Sequence, residues 1–318
     1  MIAFILQLVM PLGLLIWLTQ WPSRGWIAFS VQALAVAGIL IGLRAVAIWA
    51  MPPFWVPDLY LILFLGSVTW HLVNRRADGP WVPGTGLRAR LLIILLAATG
   101  AYGTYLGLQA WQGKKLPAVK TIDIASPFPS GTYLIASGGS NRAVNAHLET
   151  LNPDRPEFRN WRGQSRALDI FKISSWGFHV DGWHPRDPEK YHTYGAPLVA
   201  PCAGTVARAL DGVPDNRVPR MNREAMAGNY LAIHCGENVF VILAHLRNGS
   251  LKVSTGQHVS LGEPLGEMGN SGNSSEPHLH IHAQLGLPED APLAGEPLGL
   301  TIQGQFLSRN DRFSVTDY

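Results

Sequence analysis

Glu276-Pro277-His278-Leu279-His280-Ile281-His282 is the segment around which the second half of this 318-residue chain is organised. Histidine recurs at every second position, between apolar residues. Because side chains alternate between the two faces of a β-strand, the pattern predicts a strand with one apolar face and one face of three imidazoles. Neutral imidazole is a common metal ligand and proton-transfer group. The segment is therefore a candidate metal site, and the alternative is a histidine-rich strand exposed to water.

Two further polar side chains interrupt apolar segments and extend this candidate site. Asp169 lies among apolar neighbours in the segment 166–171, and His245 ends the apolar run 239–246. An aspartate is rarely buried unless it is paired or binds a metal, although one at a strand end can also cap backbone N–H groups. The polar turn 270–275 directly precedes the histidine segment, and turns of this composition often fix a site-bearing strand.

The chain from residue 131 onward has the pattern of a small β domain. Short apolar segments alternate with glycine-rich turns, and no long amphipathic helix is predicted after residue 130. The segments 228–234 and 239–246 flank the turn 236–238 and predict a hairpin. We therefore expect residues 131–318 to form a mostly antiparallel β domain, joined by a proline-punctuated linker at 113–130.

The chain has two cysteines, Cys202 and Cys235, each at the edge of a predicted strand. Two cysteines outside a Cys-x-x-Cys pair do not indicate a metal site. One disulfide would form if this half faces an oxidising compartment. Two buried free thiols are the alternative.

Residues 1–112 have the composition of a membrane domain. About 20 apolar residues at 1.5 Å rise cross a hydrocarbon core of roughly 30 Å. On this basis we predict a multi-pass α-helical anchor of four helices, at 1–20, 27–50, 55–73 and 91–111. Arg44 is the one lysine or arginine inside a predicted span, where it would snorkel or pair within the bundle.

The basic residues of the loops predict the orientation of these helices. Loops rich in arginine face the cytoplasm, and the loops before and after the middle pair of helices carry the arginines. These residues are Arg24, Arg75, Arg76, Arg88 and Arg90. The β domain is then expected on the periplasmic or extracellular side of the cell (inner) membrane, with membrane lipid as a partner. The net charge of +3 argues against a nucleic-acid partner.

Five segments occur in the order and spacing of the lysostaphin-like zinc peptidases. They are Ala200-Pro201-Cys202-Ala203-Gly204-Thr205-Val206, Ala244-His245-Leu246, Gly256-Gln257-His258-Val259-Ser260-Leu261-Gly262-Glu263-Pro264-Leu265-Gly266, Gly269-Asn270-Ser271-Gly272 and His278-Leu279-His280. Residues 165–285 therefore resemble this family. The resemblance implies a two-layer antiparallel β core whose groove binds zinc and cuts peptide crosslinks of the bacterial cell wall.

The resemblance also implies roles for individual residues. His280 corresponds to a zinc ligand, whereas His278 and His245 would flank the reacting water and the developing oxyanion. These roles are chemically reasonable, since catalytic zinc takes about three protein ligands, lowers the pKa of water in the open position, and works beside imidazoles that donate hydrogen bonds or pass protons.

One position departs from the family pattern. The family usually supplies its other two ligands from His-x-x-x-Asp, and here Ser165 stands four residues before Asp169. Serine is a poor zinc ligand, so another imidazole must replace it or the site binds metal weakly. We predict that His147 is the third ligand beside Asp169 and His280. The histidines of the 178–194 loop, His179, His184 and His192, are the alternatives, together with a degenerate site.

The sequence thus predicts a membrane-anchored zinc metalloendopeptidase whose partner is peptidoglycan peptide. A non-catalytic module that binds the cell wall or serves a regulatory protein partner is the second hypothesis, and it is favoured by Ser165. A third takes 256–269 as the hairpin of a biotinyl or lipoyl carrier domain. Such a carrier would present a modified lysine at the tip of the hairpin. This hypothesis is the weakest, because Lys252, the only lysine nearby, precedes the hairpin.

Overall fold

A computed structural model describes residues 4–74 and 86–316 of the chain. It divides into two compact units, Met1–Trp111 and Gln112–Tyr318. The first unit is helical. Its helices are α1 (Met10–Gln20), which continues a π-helical turn at Ile5–Val9, α2 (Trp26–Val46), α3 (Val56–Val73) and α4 (Leu87–Gly113).

Within the described residues, three helices are long and apolar enough to cross a membrane: α2, α3 and α4. The first apolar segment, predicted at 1–20, begins in residues 1–3, which lie outside the described residues. Its described helical part, Ile5–Gln20, has sixteen residues and is shorter than the other three. The described part alone spans about 24 Å at 1.5 Å per residue, so the fourth span stays a prediction. The basic loop residues Arg75 and Arg76 lie outside the described residues.

The helices of the first unit pack through apolar side chains and close backbone contacts. One buried cluster contains Leu18 of α1, Val36 of α2 and Tyr60 of α3. Helix α2 meets α4 at glycine, because a Cβ on Gly38 would overlap the carbonyl of Gly100. Such contacts are typical of helices that associate in membranes.

Arg44, the charge predicted to snorkel or pair, forms an ion pair. Its Nη1 lies 2.7 Å from Oδ1 of Asp58 in the first turn of α3. Pairing within the bundle is therefore the outcome that the structure shows.

The second unit is built on antiparallel strands. They are β1 (Thr121–Ile124), β2 (Gly131–Ser137), β3 (Leu168–Ile173), β4 (Pro197–Val199), β5 (Gly204–Leu210), β6 (Asn229–His234), β7 (Val239–Leu246), β8 (His258–Val259), β9 (Pro264–Glu267), β10 (Leu279–Leu285), β11 (Glu296–Pro297), β12 (Gly299–Ile302) and β13 (Arg312–Val315). The described strands of the main sheet run in the order β13-β2-β3-β10-β7-β6-β5-β8, and β11 also pairs with β10. The predicted hairpin is β6 and β7, and the expectation of a mostly antiparallel β domain is confirmed.

Two smaller pairs complete this unit. Strands β4 and β9 are antiparallel, whereas β1 and β12 are parallel. Strand β1 lies inside the segment 113–130 that we predicted as a linker. Its partner is about 180 residues away in the sequence, so local composition could not indicate this strand. Short 3-10 helices, at Ala146–Leu151, Pro156–Arg166 and Pro188–Lys190, stand in place of longer helices.

The hydrophobic core lies on one face of the main sheet. Leu279 and Ile281 of β10 pack there with Leu168 and Ile170 of β3 and with Leu243 of β7, all at most 2% exposed. Burial of side chains of this size contributes roughly 1.5–3 kcal/mol each. The opposite face of β10 is thereby left for polar side chains.

Cys202 and Cys235 form a disulfide, which confirms the prediction of a single bridge over that of two free thiols. It joins the turn before β5 to the residue after β6, with Cα atoms 5.9 Å apart. The bridge therefore ties together two paired strands, β5 and β6, at the end where they are not linked by a turn.

Candidate metal centre

The candidate site is built on strand β10, which lies between β3 and β7 in the sheet. Because β10 alternates, Leu279 and Ile281 enter the core while His280 and His282 occupy the other face. His280 stands directly opposite Asp169 on β3 and Ala244 on β7. The register of three strands therefore places an imidazole beside a carboxylate.

Side chains also alternate along β3. Leu168 and Ile170 enter the core, so Asp169 between them lies on the same face of the sheet as His280. Nδ1 of His280 lies 3.1 Å from Oδ1 of Asp169. Nε2 of His278 lies 3.6 Å from the same oxygen. One carboxylate thus lies among several imidazoles.

His147 reaches this carboxylate from the 3-10 helix Ala146–Leu151. Its Nε2 lies 3.4 Å from Oδ2 of Asp169, and its ring centroid is 4.9 Å from that of His280. Buried Asn145 holds the ring, because its Nδ2 donates to the carbonyls of Gly139 and Ala167, which leaves Oδ1 to accept from Nδ1 of His147 at 3.0 Å. A neutral imidazole has one N–H, so Nε2 of His147 carries a lone pair towards the carboxylate.

His147, Asp169 and His280 each offer one ligand atom, and these atoms lie within 4.8 Å of one another. A set of two imidazole nitrogens and one carboxylate oxygen suits zinc. The lone pair of His147 faces an anion, and a cation between them would turn this repulsive contact into an attractive one. The residues present therefore fit a bound metal.

Ser165, which stands where the resemblance expects a ligand, has a structural position instead. Its side chain is buried, and its Oγ donates to the carbonyl of Arg162. Thr150 Oγ1 lies 3.0 Å from Ser165 Oγ and 2.7 Å from the carbonyl of His147. Ser165 thus contacts the turn that bears His147.

The other histidines that we considered as third ligands lie elsewhere. His179 is buried, with Nε2 3.2 Å from Oε2 of Glu276, and His192 lies 3.4 Å from Asp181. His184 packs its ring against Trp183. Among the described residues, the group of close donor atoms includes none of the three.

His245 and His278, predicted as catalytic, lie beside this group with ring centroids 4.8 Å apart. Nδ1 of His245 donates to the carbonyl of Ser271 at 2.9 Å, and Nδ1 of His278 donates to the carbonyl of Glu276 at 2.8 Å. Each ring therefore keeps its lone pair on Nε2. His245, the penultimate residue of β7, has a left-handed backbone (φ 64°), which costs conformational energy and is often associated with functional positions.

All five predicted site residues line one cavity of about 270 Å³, together with other side chains of the same region. Gln164, Met221, Asn273 and Leu293 are among these additional lining residues. His147, Asp169 and His278 are partly exposed, whereas His245 and His280 are buried, so solvent reaches part of the site. The roles of the individual residues stay predictions.

Burial and neighbouring charges shift the pKa values of these groups. Burial lowers the pKa of His280 to about 4 against the opposing pull of Asp169. Burial also lowers the pKa of His245 well below its ordinary value, as do the charges of His278 and His280. Burial alone would raise the pKa of Asp169, but His147 and His278, which carry a positive charge when they are protonated in acid, hold it well below its usual range. At neutral pH the imidazoles of His245 and His280 are therefore neutral and the carboxylate of Asp169 is ionised. Neutral imidazole and ionised carboxylate are the forms that bind metal.

Sequence reasoning gave no role to Glu276 and His282, although both belong to the histidine segment. Glu276 receives a hydrogen bond from buried His179, and its own carbonyl accepts from His278. It therefore ties the 178–194 loop to a candidate catalytic imidazole. His282 is fully buried against His280. The sequence signal that could have assigned a role to His282 is its place as the third histidine of the alternating segment.

An imidazole–carboxylate donor group with further imidazoles beside it is typical of metal-dependent hydrolases. Residues 191–290 match the sequence profile described as Peptidase family M23, and the chain thus contains a peptidase domain of family M23. This match includes His245, His278 and His280, whereas His147 and Asp169 precede it.

Two curated proteins of Vibrio cholerae serotype O1 are similar to this region. Peptidoglycan DD-endopeptidase ShyA is 31% identical over 133 residues, which cover 39% of this chain and 30% of ShyA. Peptidoglycan DD-endopeptidase ShyC is 30% identical over 127 residues, which cover 38% of this chain and 28% of ShyC. The chain therefore spans less than a third of the length of either relative. The solved structure of the M23 metalloprotease pseudoalterin from the deep sea aligns with 60% of this chain and 86% of its own, at 15% identity and a TM-score of 0.34.

Proposed function

We propose that this chain is a membrane-anchored zinc endopeptidase that hydrolyses peptide crosslinks of the bacterial cell wall. The observation that carries the proposal is the convergence on one cavity of the donor group of His147, Asp169 and His280 with two further imidazoles. The substrate class is taken from the M23 peptidase domain and from the relatives, which are named peptidoglycan DD-endopeptidases.

His147, Asp169 and His280 would hold the metal. When bound, zinc supplies Lewis-acid polarisation of the scissile carbonyl and activation of water. Asp169 is ionised at neutral pH and His280 is neutral, so both are ready to bind without losing a proton.

His245 and His278 would handle protons. The carbonyls of Ser271 and Glu276 fix both rings with Nε2 unprotonated, so each ring is prepared to accept a proton there. An imidazole that takes a proton from water can then donate it to the leaving amine, and such general acid–base catalysis contributes roughly 10²–10⁴-fold in rate. The neutral state of His245 at neutral pH, imposed by its burial, suits the role of the base.

The test is zinc content measured beside crosslink cleavage. The full chain would be purified in detergent, analysed for zinc, and incubated with crosslinked muropeptides whose products are identified by mass spectrometry. We expect one zinc per chain and new peptide ends at the crosslink. His280→Ala should lose both zinc and cleavage. His234→Ala, a change at an exposed histidine on β6, should lose neither.

A non-catalytic cell-wall-binding module is the second candidate, and Ser165 is the observation that favours it. This candidate expects a chain that binds muropeptides without zinc and without cleavage. The same two measurements therefore separate the two functions, because zinc with cleavage excludes the module and binding without either excludes the enzyme.

We further propose that residues 1–112 anchor the enzyme in the inner membrane, that 113–130 lead out of it, and that 131–318 act on the periplasmic or extracellular side. Three described helices long enough to cross a membrane and the disulfide, which persists in oxidising compartments, support this arrangement. The test is protease accessibility in spheroplasts. A tag after residue 318 should be digested while a tag between residues 78 and 88 stays protected, and the reverse result would contradict the orientation.

A further inference from the structure

The face of β10 that carries His280 continues as a row of buried polar side chains beneath the candidate metal centre. Nε2 of His280 lies 3.1 Å from Nδ1 of His282, and Nε2 of His282 lies 3.3 Å from Oε1 of Gln284. His282 and Gln284 are fully buried. The row Asp169–His280–His282–Gln284 thus contains three polar contacts. The contacts from His280 to His282 and from His282 to Gln284 are buried, and the contact from Asp169 to His280 is partly buried.

The amide of Gln284 has only one orientation in this row. Its Nε2 donates to the carbonyls of Gly286 at 2.8 Å and Pro292 at 2.9 Å. It also lies between Gly163 and Gly295, where a Cβ on either glycine would overlap the amide group. Reversing the amide would place its oxygen against two carbonyl oxygens. Oε1 therefore faces His282 and can only accept.

This fixed acceptor determines the protons of the row. His282 must donate from Nε2 to Gln284, so its Nδ1 is the acceptor, because a neutral imidazole carries one N–H. His280 must then donate from Nε2 to His282. Nδ1 of His280 is left with a lone pair, 3.1 Å from an oxygen of the ionised Asp169.

With both imidazoles neutral, the row consequently lacks one proton or an equivalent positive charge. Three contacts require three donors, and two neutral imidazoles supply two. If His280 instead donates from Nδ1 to Asp169, its Nε2 must accept from Nδ1 of His282. Nε2 of His282 then has a lone pair that faces Oε1 of Gln284, and neither atom can donate. A cation between His280 and Asp169 satisfies all three contacts at once. Buried polar groups without partners cost about 1–3 kcal/mol, so this difference is large enough to favour the occupied site.

We propose that His282 and Gln284 are positioning residues that make His280 present Nδ1 to the metal. The proposal rests on the zinc site of the proposed function. Partners that hold the second nitrogen of a metal-bound histidine fix its tautomer and orientation, and their loss typically weakens metal binding 10–100-fold. In this chain the partner is a second histidine, itself fixed by an amide that two backbone carbonyls hold.

The first experiment reads the protons directly in the unmodified protein. The full chain, labelled with ¹⁵N-histidine and loaded with zinc in detergent, would be examined by long-range ¹H–¹⁵N correlation, with the His282 signal assigned by its disappearance in His282→Gln. We expect His282 to be protonated at Nε2 and unprotonated at Nδ1. Protonation at Nδ1 would overturn the proposal, whatever the variants show.

The second experiment measures zinc affinity by competition with a chelator. His282→Phe keeps a ring but removes both hydrogen bonds, and should weaken zinc binding about 10–100-fold, whereas His282→Gln, which keeps a donor and an acceptor, should recover most of this loss. His234→Phe, at the exposed last residue of β6, is the matched control and should bind zinc like the wild type. The Co²⁺-loaded chain should show an altered visible spectrum only for His282→Phe.

The outcomes distinguish this proposal from the proposed function. Zinc binding by His282→Phe as tight as in the wild type overturns the positioning role and leaves the enzyme intact. A wild-type chain that binds no zinc overturns both. If His282→Phe fails to fold, as judged by its thermal unfolding, the tautomer of the wild-type chain decides.

Discussion

Replacing His147 with alanine tests the least conventional part of the site. This residue precedes the region that matches family M23, and we predict that its imidazole replaces the ligand that the family pattern expects at Ser165. The change removes Nε2, which lies 3.4 Å from Oδ2 of Asp169, and leaves two of the three candidate ligands. We expect a selective loss of zinc.

The structure indicates that the fold should tolerate this change. Oδ1 of Asn145 accepts from the backbone N–H of residue 147 at 3.1 Å as well as from the imidazole. The backbone hydrogen bond remains in His147→Ala, so the buried amide oxygen keeps a partner. The carbonyl of residue 147, which Thr150 contacts, is also unchanged.

The expected loss of affinity follows from the number of ligands. Zinc bound by four ligands in small folded sites contributes about 10–16 kcal/mol, or about 2.5–4 kcal/mol per ligand. At 1.4 kcal/mol per tenfold change, one missing ligand weakens binding about 10²–10³-fold. Cleavage should fall in parallel at limiting zinc.

Competition with a chelator and thermal unfolding with and without zinc would measure this loss in the full chain. Free zinc at 100 times the dissociation constant stabilises a protein by about 2.7 kcal/mol, whereas a site that is 10²–10³-fold weaker gains about 0.4 kcal/mol or less at the same concentration. The unfolding temperature of the wild type should therefore rise clearly with zinc, and that of His147→Ala should rise far less. His234→Ala is the control. An unchanged dissociation constant in His147→Ala would refute the assignment of His147 as a ligand.

Three further predictions concern the same domain. His245→Gln should keep its zinc and lose roughly 10²-fold or more in cleavage rate, measured with muropeptides; a loss of zinc would instead make His245 a ligand. Removing the disulfide with Cys202→Ser and Cys235→Ser together should cost roughly 3–4 kcal/mol of unfolding free energy in denaturant titrations, since the bridge closes a loop with a sequence separation of 33. In the zinc-free chain, burial holds the pKa of His280 at about 4, below its unfolded value, so the unfolded state binds more protons and stability should fall as pH decreases from about 6.5 to 4. A stability that is constant across this range in thermal unfolding would contradict the neutral state of that imidazole.

The predictions made from the sequence succeeded where local periodicity carries the information. The hairpin of β6 and β7 and the alternation of β10 follow from residues within about ten positions of one another. The membrane segments depend on local composition in the same way, and three of the four were long and apolar enough in the described structure. The first, predicted at 1–20, begins in residues that lie outside the described part of the chain, so a fourth span stays a prediction.

The sequence by itself thus determined that β10 has an apolar face and a histidine face, because the period of a strand is a local property of its backbone. Only the tertiary structure decided which groups meet that histidine face. His147 lies on a 3-10 helix and Asp169 on a neighbouring strand. Gly163, on a further 3-10 helix, packs against the amide of Gln284. These contacts depend on strand register and on loops packed across the sheet. No spacing along the chain encodes these contacts. The sequence could therefore name His147, Asp169 and His280 as a candidate donor group, whereas the distances among them and the proton order beneath them came only from the fold.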